Sequence, residues 1–381
     1  MHTIVSIWEG RVTVGINPET GAQKQQSVTG KTQKEVAQRM KEIAVEVDKG
    51  TYRAPTKMTV AEWADTWLNT YNKNDVKAST ADLYKRTVEL YIKPKLGKVK
   101  LTSLTPRMVQ NFFNSLGSYV TRRGEPLSPK TIKNICGILH KLLKQAVDDK
   151  EIAYNPVDGR KTPLVEKKEA SYMEEDTQAE FIKAVRGHRH EYLFLAALFT
   201  GMRQGELLAL TWDCVDFDKN LILVKQSLTK ASKKSGELGF SSTKNHKSRT
   251  ITVSPSVIKF LRLQKLAQNA LRIKAGDSWI ERNLVFSNSI GDYLSYRTVY
   301  DCFKRVEVKI GAPDVRFHDL RHTYAANCIC AGDHIKTLQK NMGHATSAFT
   351  MDVYGHVFDK MQKRSANRTE AHIQNLLAAA K

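Results

Sequence analysis

Two histidines, an aspartate and an arginine lie within five positions of the stretch FHDLRHTYAA, residues 317 to 326. His318 and His322 are four apart and share one helical face, as in a zinc-binding helix. Arg321 beside them would place a permanent positive charge next to a metal ion, and no third ligand follows at a suitable distance, so we predict no metal site. His318 and Arg321 are three apart, and a guanidinium can hold phosphate oxygens through two parallel hydrogen bonds. The stretch therefore favours a phosphate site.

That H-x-x-R spacing recurs at His246 and Arg249, so it proves little without further candidates. In TGMRQGELLALTW, residues 200 to 212, Thr-Gly interrupts an apolar helix and Arg203 falls near the start of the next one. Helix N-termini favour anions, and Glu206 is placed to hold the guanidinium. An ordinary surface ion pair explains these two residues equally well in isolation.

Two more stretches contribute single polar residues. In FSSTKNHKSRTITV, Lys244 falls on or beside the predicted turn of a β-hairpin, where a flexible ammonium can reach a site on another element. In MGHATSAFTMDVYGHV, Gly343 ends a helix, His344 begins the following loop and Tyr354 lies on a new apolar stretch. Both have ordinary alternatives, because most lysines are solvated and the chain has 13 tyrosines.

The elements that carry these residues form the last of three predicted domains. Three short alternating runs and a helical pattern predict a three-stranded sheet with one helix in residues 1–55. Capping signals predict four helices in residues 56–160. NPVDGRKTPLVEKKEA, rich in proline, glycine and charge, marks the boundary to a mostly helical domain, residues 161–381. The predicted class is mainly α with small β elements, an α+β fold.

The last helix of the middle domain is amphipathic. Its apolar stripe consists of Ile132, Ile135, Leu139, Leu142, Leu143 and Ala146. Lysines occupy much of the remaining surface: Lys130, Lys133, Lys141 and Lys144. We therefore predict a basic helical bundle.

The composition indicates a polyanionic partner. There are 60 Lys and Arg against 39 Asp and Glu, a net charge of +21, and neutralising phosphates releases condensed counterions. A membrane partner is disfavoured, because the longest apolar run, YLFLAALF, is far shorter than the about 20 residues of a span. Five cysteines without a C-x-x-C pair favour reduced residues, and no export signal is evident, so we expect a cytoplasmic protein.

Taken in order, six of these residues carry a family resemblance: Arg203, Lys244, His318, Arg321, His344 and Tyr354. With their surrounding boxes, the last 210 or so residues resemble the tyrosine recombinases, the phage integrase family. The domain order is similar to that of the integrases of conjugative transposons and related phages. Asn245 follows Lys244 where threonine is common, which leaves Lys247 as an alternative to Lys244.

The resemblance implies an enzyme that cleaves and rejoins DNA through a 3′-phosphotyrosine, without metal, ATP or other cofactor, to integrate and excise a mobile element. Tyr354 would be the nucleophile, Arg203 and Arg321 the clamp on the non-bridging oxygens, and His344 a further hydrogen-bond donor. His318 would assist proton transfer at the tyrosine. Lys244 would protonate the leaving 5′ oxygen.

The expected partner is double-stranded DNA with core-type and arm-type sites, bound by a homotetramer, together with an accessory DNA-bending or excision protein. The basic lysines of the middle domain would contact core-site phosphates. In the N-terminal sheet, Arg11, Lys24 and Gln26 are candidate readers of arm sites. Two rival functions share much of this pattern: a type IB topoisomerase that relaxes supercoils, and a regulator that binds DNA without cutting.

Overall fold

The computed structural model shows a mainly helical chain with small antiparallel sheets, which confirms the predicted α+β class. The structure describes residues 8–16, 20–49, 56–71, 76–122, 124–166, 169–230, 238–242 and 248–379. The chain forms two compact units, Met1–Glu166 and Lys167–Lys381. The finer predicted boundaries, after residues 55 and 160, stay predictions. No helix in the described part of the chain is both long and apolar enough to cross a membrane.

The N-terminal part of the first unit is a hairpin backed by a helix. Strand β1 (Trp8–Ile16) pairs antiparallel with β2 (Gln23–Gly30), and α1 (Gln33–Asp48) packs on the sheet. The described part of this sheet has two strands, and Gly10 continues β1 instead of ending a strand as predicted. A side chain at this position would lie 2.4 Å from the Met40 sulfur, so glycine here lets the helix approach closely. Residues 1–7, which hold most of the first predicted run, lie outside the described residues.

The rest of the first unit is the predicted bundle of four helical segments. The segments are α2 (Val60–Thr66) with a π-helical continuation (Trp67–Tyr71), α3 (Ala78–Thr87) continuing through a π-helical turn (Val88–Ile92) into α4 (Lys93–Leu96), α5 (Pro106–Gly117) and α6 (Pro129–Asp148). Thr59, Thr105 and Ser128 accept hydrogen bonds from backbone N–H groups at the helix starts, as capping predicts. The predicted apolar stripe of α6 is buried.

The second unit is built around a helix that is apolar on every side. Its helices are α7 (Glu175–Val185), α8 (Glu191–Thr200), α9 (Gln204–Leu208), α10 (Pro255–Ala275), α11 (Tyr296–Lys309), α12 (Phe317–Cys330), α13 (Ile335–Met342) and α14 (Ser347–Ala379). Helix α8 contains YLFLAALF and packs against α10 and α12, which explains why nearly all of its side chains are buried. Its C-terminal end therefore lies at a fixed position next to α12.

Two small sheets flank this core. Strands β3 (Val215–Asp216), β4 (Leu221–Val224) and β7 (Arg249–Thr252) form one, and β5 (Gln226–Lys230) pairs with β6 (Leu238–Ser242) in the other. The predicted hairpin between FSS and RTITV is therefore wrong. In the described residues β6 pairs with β5, and β7 pairs with β4. Lys244 and Lys247 lie between β6 and β7, outside the described residues.

Candidate active site

Arg203 is fixed where α8 gives way to α9. Helix α8 ends at Gly201, whose φ of 62° is in the left-handed region, and Arg203 is the N-cap residue of α9. Glu206 accepts hydrogen bonds from the backbone N–H of Arg203 and from its Nη1, both at 2.9 Å. The predicted pair is thus a local clamp at a helix start.

Glu206 is a buried carboxylate shared by two arginines. It is 2% exposed, and Arg249 on β7 donates Nη1 to Oε1 (3.0 Å) and Nη2 to Oε2 (2.7 Å). Burial alone would raise the pKa of Glu206, but the hydrogen bonds and charge of Arg249, aided by Arg203, lower it to about 2. The carboxylate is therefore ionised at every working pH, which keeps both guanidinium groups in place.

Arg321, on α12, is held by backbone carbonyls. It is 3% exposed, and it donates Nη1 to the Gly201 oxygen (2.5 Å) and Nη2 to the Met342 oxygen (2.6 Å). Arg203 Nη2 reaches the neighbouring Gly343 oxygen at 3.3 Å. Burial and the nearby charge of Arg203 lower the pKa of Arg321 to about 9. The guanidinium groups of Arg203 and Arg321 are thus close together. Glu206 is the one carboxylate among Arg203, Arg249 and Arg321, so the site carries excess positive charge and attracts an anion.

Both histidines of HDLRH lie on α12 with their rings edge to face, 4.9 Å between centroids. Desolvation and the charge of Arg321 lower the pKa of His318. Nδ1 of His322 and the hydroxyl of Tyr354 are joined by a hydrogen bond of 2.7 Å. Desolvation, with the charge of His318 adding to it, lowers the pKa of His322 to about 4, so this ring is neutral at pH 7.

Tyr354 lies near the start of α14 and is fully buried, with an exposed fraction of 0%. It packs among Ala325, Ile329 and Met342. Burial raises the pKa of the phenol, and the charge of Arg321 opposes that rise. A neutral phenol hydrogen-bonded to a neutral imidazole is therefore the resting state of this pair.

His344 completes the group from the turn between α13 and α14. Gly343, with φ of 64°, ends α13, and the His344 ring lies nearly parallel to that of Tyr354 at 6.4 Å. Its Nδ1 is 2.9 Å from the Thr350 hydroxyl oxygen. Desolvation and the charges of Arg321 and Arg203 lower the pKa of His344 to about 3, so it meets an anion as a neutral donor.

The structure thus brings together most of the site predicted from sequence. The group consists of Arg203, Glu206, His318, Arg321, His344 and Tyr354. Lys244 cannot be placed, because it lies outside the described residues. The sequence does not predict two neighbours of this group, His322 and Arg249. The sequence shows that His322 follows His318 by four residues and that Arg249 lies on a predicted strand. It does not show their contacts with Tyr354 and Glu206, which lie 32 and 43 residues away.

The candidate DNA-binding residues lie on separate elements, and all of them are exposed except Gln26, which is half-buried. In the hairpin, strand alternation places Arg11 on one face, whereas Lys24 and Gln26 share the opposite face with Val28, on the side of α1. On α6, all four predicted lysines are exposed: Lys130, Lys133, Lys141 and Lys144. The structure therefore separates the three predicted arm-site residues into two groups.

A cluster of fixed positive charge beside a buried phenol defines the class of a tyrosine recombinase, an enzyme that cleaves and rejoins DNA through a phosphotyrosine. The chain belongs to the phage integrase family: residues 171–361 match the phage integrase family model, and residues 59–117 match the SAM-like N-terminal domain of phage integrases. It is accordingly a site-specific recombinase of the integrase type.

Individual relatives agree over nearly the full length. A tyrosine recombinase XerC-like protein of Caldanaerobacter subterraneus is 30% identical over 377 residues, covering 94% of this chain and 95% of its own. The ICEBs1 integrase of Bacillus subtilis is 26% identical, with coverage of 94% and 95%. The fold resembles the Tn1549 transposon integrase solved in complex with a circular intermediate DNA, with a TM-score of 0.67, 20% identity and coverage of 82% of this chain and 99% of that one.

Proposed function

We propose that this protein integrates and excises a mobile element, with Tyr354 as the nucleophile. The hydroxyl oxygen attacks a DNA phosphodiester, forming a bond from the tyrosine oxygen to phosphorus and breaking the bond to the 5′ oxygen. The 3′ phosphate stays on the protein, and the released 5′ hydroxyl of a partner strand can reverse the step. The bond energy is kept in the ester, so rejoining needs no ATP.

The observation that carries this assignment is the hydrogen bond between the Tyr354 hydroxyl and the neutral ring of His322. A phenol is only about a thousandth ionised at pH 7, so a base must take its proton as the bond to phosphorus forms. Nδ1 of His322 lies 2.7 Å from that hydroxyl oxygen, and the ring of His318 lies against the ring of His322. We assign proton removal to this histidine pair.

Arg203 and Arg321 are proposed to bind the non-bridging oxygens. Their guanidinium groups are fixed before substrate arrives, so they stabilise the charge that grows in the transition state without reorganising. His344 adds a neutral donor on the same side. Lys244 is the proposed general acid for the leaving 5′ oxygen, and Lys247 is its alternative.

Attack requires the tyrosine to move. The Tyr354 side chain has no exposed surface, whereas a scissile phosphate must reach the guanidinium groups from solvent. We propose that DNA binding shifts the first turns of α14, which brings the hydroxyl to the phosphate while it stays within reach of His322. The Tn1549 transposon integrase, whose fold this chain resembles, was solved in complex with DNA, which supports DNA as the substrate.

The recombining species is proposed to be a homotetramer on two DNA duplexes. Near its end, helix α14 exposes Ile373, Leu376 and Leu377, a short apolar face that a neighbouring protomer would cover. The α6 lysines would contact core-site phosphates, and the N-terminal hairpin would bind arm sites. An accessory bending or excision protein would set the direction of the reaction.

The first test is covalent capture on a nicked DNA substrate in EDTA. The wild-type protein should form a protein–DNA adduct, and Tyr354→Phe should form none while still binding the DNA. A wild-type protein that binds but never forms an adduct would be the non-cutting regulator. Relaxation of supercoiled DNA without any site requirement would instead favour the topoisomerase.

The general acid is tested with a 5′-bridging phosphorothiolate, whose sulfur leaves without a proton. Lys244→Ala should cleave the ordinary substrate slowly and the sulfur substrate at near the wild-type rate. Rescue of Lys247→Ala, and not of Lys244→Ala, would transfer the role to Lys247.

A further inference from the structure

Arg249 is placed to organise the proposed phosphate site without belonging to it. It begins β7, the strand that follows the segment containing Lys244. Its Nη1 and Nη2 bond the two oxygens of Glu206, and its Nε donates to the Asn341 oxygen at 2.8 Å. One planar side chain thus joins β7, α9 and the end of α13.

The contacts of Arg249 reach both halves of the clamp. Glu206 carries the other guanidinium, Arg203, and the carbonyls of Met342 and Gly343 beside Asn341 are acceptors for Arg321 and Arg203. We infer that Arg249 is a positioning residue for the recombination reaction, holding Arg203 through Glu206 and fixing the carbonyl turn at the end of α13. This inference rests on the proposed function.

The contacts of Arg249 favour a positioning role over direct contact with phosphate. Both of its Nη atoms are bonded to the Glu206 carboxylate, so its charge is already paired with an anion. Arg321 instead donates to two neutral carbonyls, and Arg203 is 31% exposed. Arginine is needed because its rigid fork spans two carboxylate oxygens while Nε points elsewhere, a geometry that a single ammonium cannot reproduce. A lysine at this position would keep the charge and lose the arrangement.

Removing Arg249 would also change the titration of Glu206. Arg249 supplies the largest of the influences that lower the pKa of this carboxyl. The other groups that face it are Arg203, Arg321, whose pKa is lowered to about 9, and Tyr296, whose pKa is raised to about 12. Without Arg249 the pKa of Glu206 rises, so protonation at lower pH would release Arg203.

The test measures single-turnover cleavage of a nicked substrate by Arg249→Met, with Lys304→Met as the matched control. Lys304 pairs with the buried carboxylate of Glu307 on α11, so its loss also breaks a buried ion pair. We expect Arg249→Met to cleave about 100-fold more slowly, in the range of losing one preorganised donor, with DNA binding unchanged. Its rate should fall further from pH 8 to pH 5 relative to wild type.

A methylphosphonate at the scissile position separates positioning from general damage. This neutral linkage lacks the charge that the clamp neutralises, so Arg249→Met and Arg203→Met should both lose far less activity on it than on phosphate. Equal losses on the two substrates, or a loss no greater than that of Lys304→Met, would overturn the inference. Adding Arg249→Met to Glu206→Gln should cost little more than Glu206→Gln alone, because both act through one pair.

If Arg249→Met does not fold, Arg249→Lys decides the question. It should bind DNA and cleave slowly, and a folded lysine variant with the wild-type rate contradicts the role of the fork. Failure of the wild-type protein to form any adduct would refute the proposed function itself, which is a different result from normal cleavage by the Arg249 variants.

Discussion

Two positively charged regions of this protein are built in opposite ways. In the second unit, Arg321 is almost fully buried, and Nη1 and Nη2 are bonded to backbone carbonyls. On α6, the four lysines are exposed; Lys144 pairs with Asp148 at 3.5 Å, and Lys141 donates to the Tyr84 hydroxyl at 3.2 Å. The buried guanidinium groups lose hydration, and fixed acceptors offset this cost. The first region is therefore suited to holding a phosphate in a fixed position for reaction. The second is suited to binding DNA without sequence specificity.

The largest effect should follow from changing a buried cation. Arg321→Lys keeps the charge but cannot bond both the Gly201 and Met342 carbonyls while presenting a planar face to phosphate. Cleavage of saturating DNA should fall by about 100-fold to 1000-fold, with affinity nearly unchanged. Single-turnover rates measure this directly. A loss of affinity with an unchanged rate would assign Arg321 to the same kind of role as the α6 lysines.

The carbonyl frame can be disturbed without touching any charge. In Gly201→Ala the new Cβ would lie 2.3 Å from the ring of Tyr324, at a φ of 62°, so the residue that accepts from Arg321 must shift. We expect a loss of about 1–3 kcal/mol of stability together with slower cleavage.

Gly187→Ala is the matched control for that change, since Gly187 has a similar φ of 74° but open space around it. It should cost about 1 kcal/mol and leave cleavage unaffected. Equal effects of the two alanines on cleavage would mean that the frame around Arg321 tolerates movement.

The burial of three histidines predicts acid lability: His322 and His344 lie in the site, and His190 lies at the start of α8. His190, His322 and His344 have folded-state pKa values of about 4, 4 and 3, below the unfolded value of about 6.5. The unfolded chain therefore binds more protons as the pH falls below 6.5, and stability is lost progressively toward pH 4. Each histidine should cost on the order of 1 kcal/mol per pH unit in this window.

Urea unfolding at pH 7.5 and pH 5 measures this dependence. His344→Gln should lose less stability than wild type between these two conditions, because glutamine does not titrate. Identical losses in the two proteins would show that His344 does not remain neutral in the folded state.

The smallest effect is expected on the exposed lysines. Lys133→Ala should weaken DNA binding modestly and equally for all sequences, and it should reduce the slope of log K against log salt by about 1. Cleavage at saturating DNA should not change. A sequence-dependent loss, or an unchanged salt slope, would remove Lys133 from the phosphate contacts.

Local chemistry explains what could be predicted from the sequence. The capping residues Thr59 and Ser128 act within one helical turn, and the apolar stripe of α6 repeats with the helical period, so these features were confirmed. The continuation of β1 through Gly10 was not predicted, because the glycine is needed for close contact with Met40 on α1, 30 residues later in the chain. The predicted pairing of β6 with β7 was wrong because each strand pairs with a more distant partner, β5 or β4.

In the site, too, local contacts could be predicted from the sequence and non-local contacts could not. Arg203 with Glu206 is a three-residue contact within one helix start, and the sequence predicted the pair. Arg249 with Glu206 spans 43 residues, and His322 with Tyr354 spans 32, so neither contact leaves a local pattern. The roles proposed for both residues follow from contacts that exist only in the folded chain.

The proposed mechanism requires Tyr354 to be the residue that becomes linked to DNA. Wild-type protein trapped on a nicked substrate would be digested with trypsin and nuclease, and the peptide that retains a nucleotide identified by mass spectrometry. We predict a 3′-phosphate linkage to Tyr354 within the peptide that begins at Asn341. A nucleotide on Tyr324 or any other residue, or a linkage to the 5′ end, would contradict the proposed convergence of the clamp and the phenol.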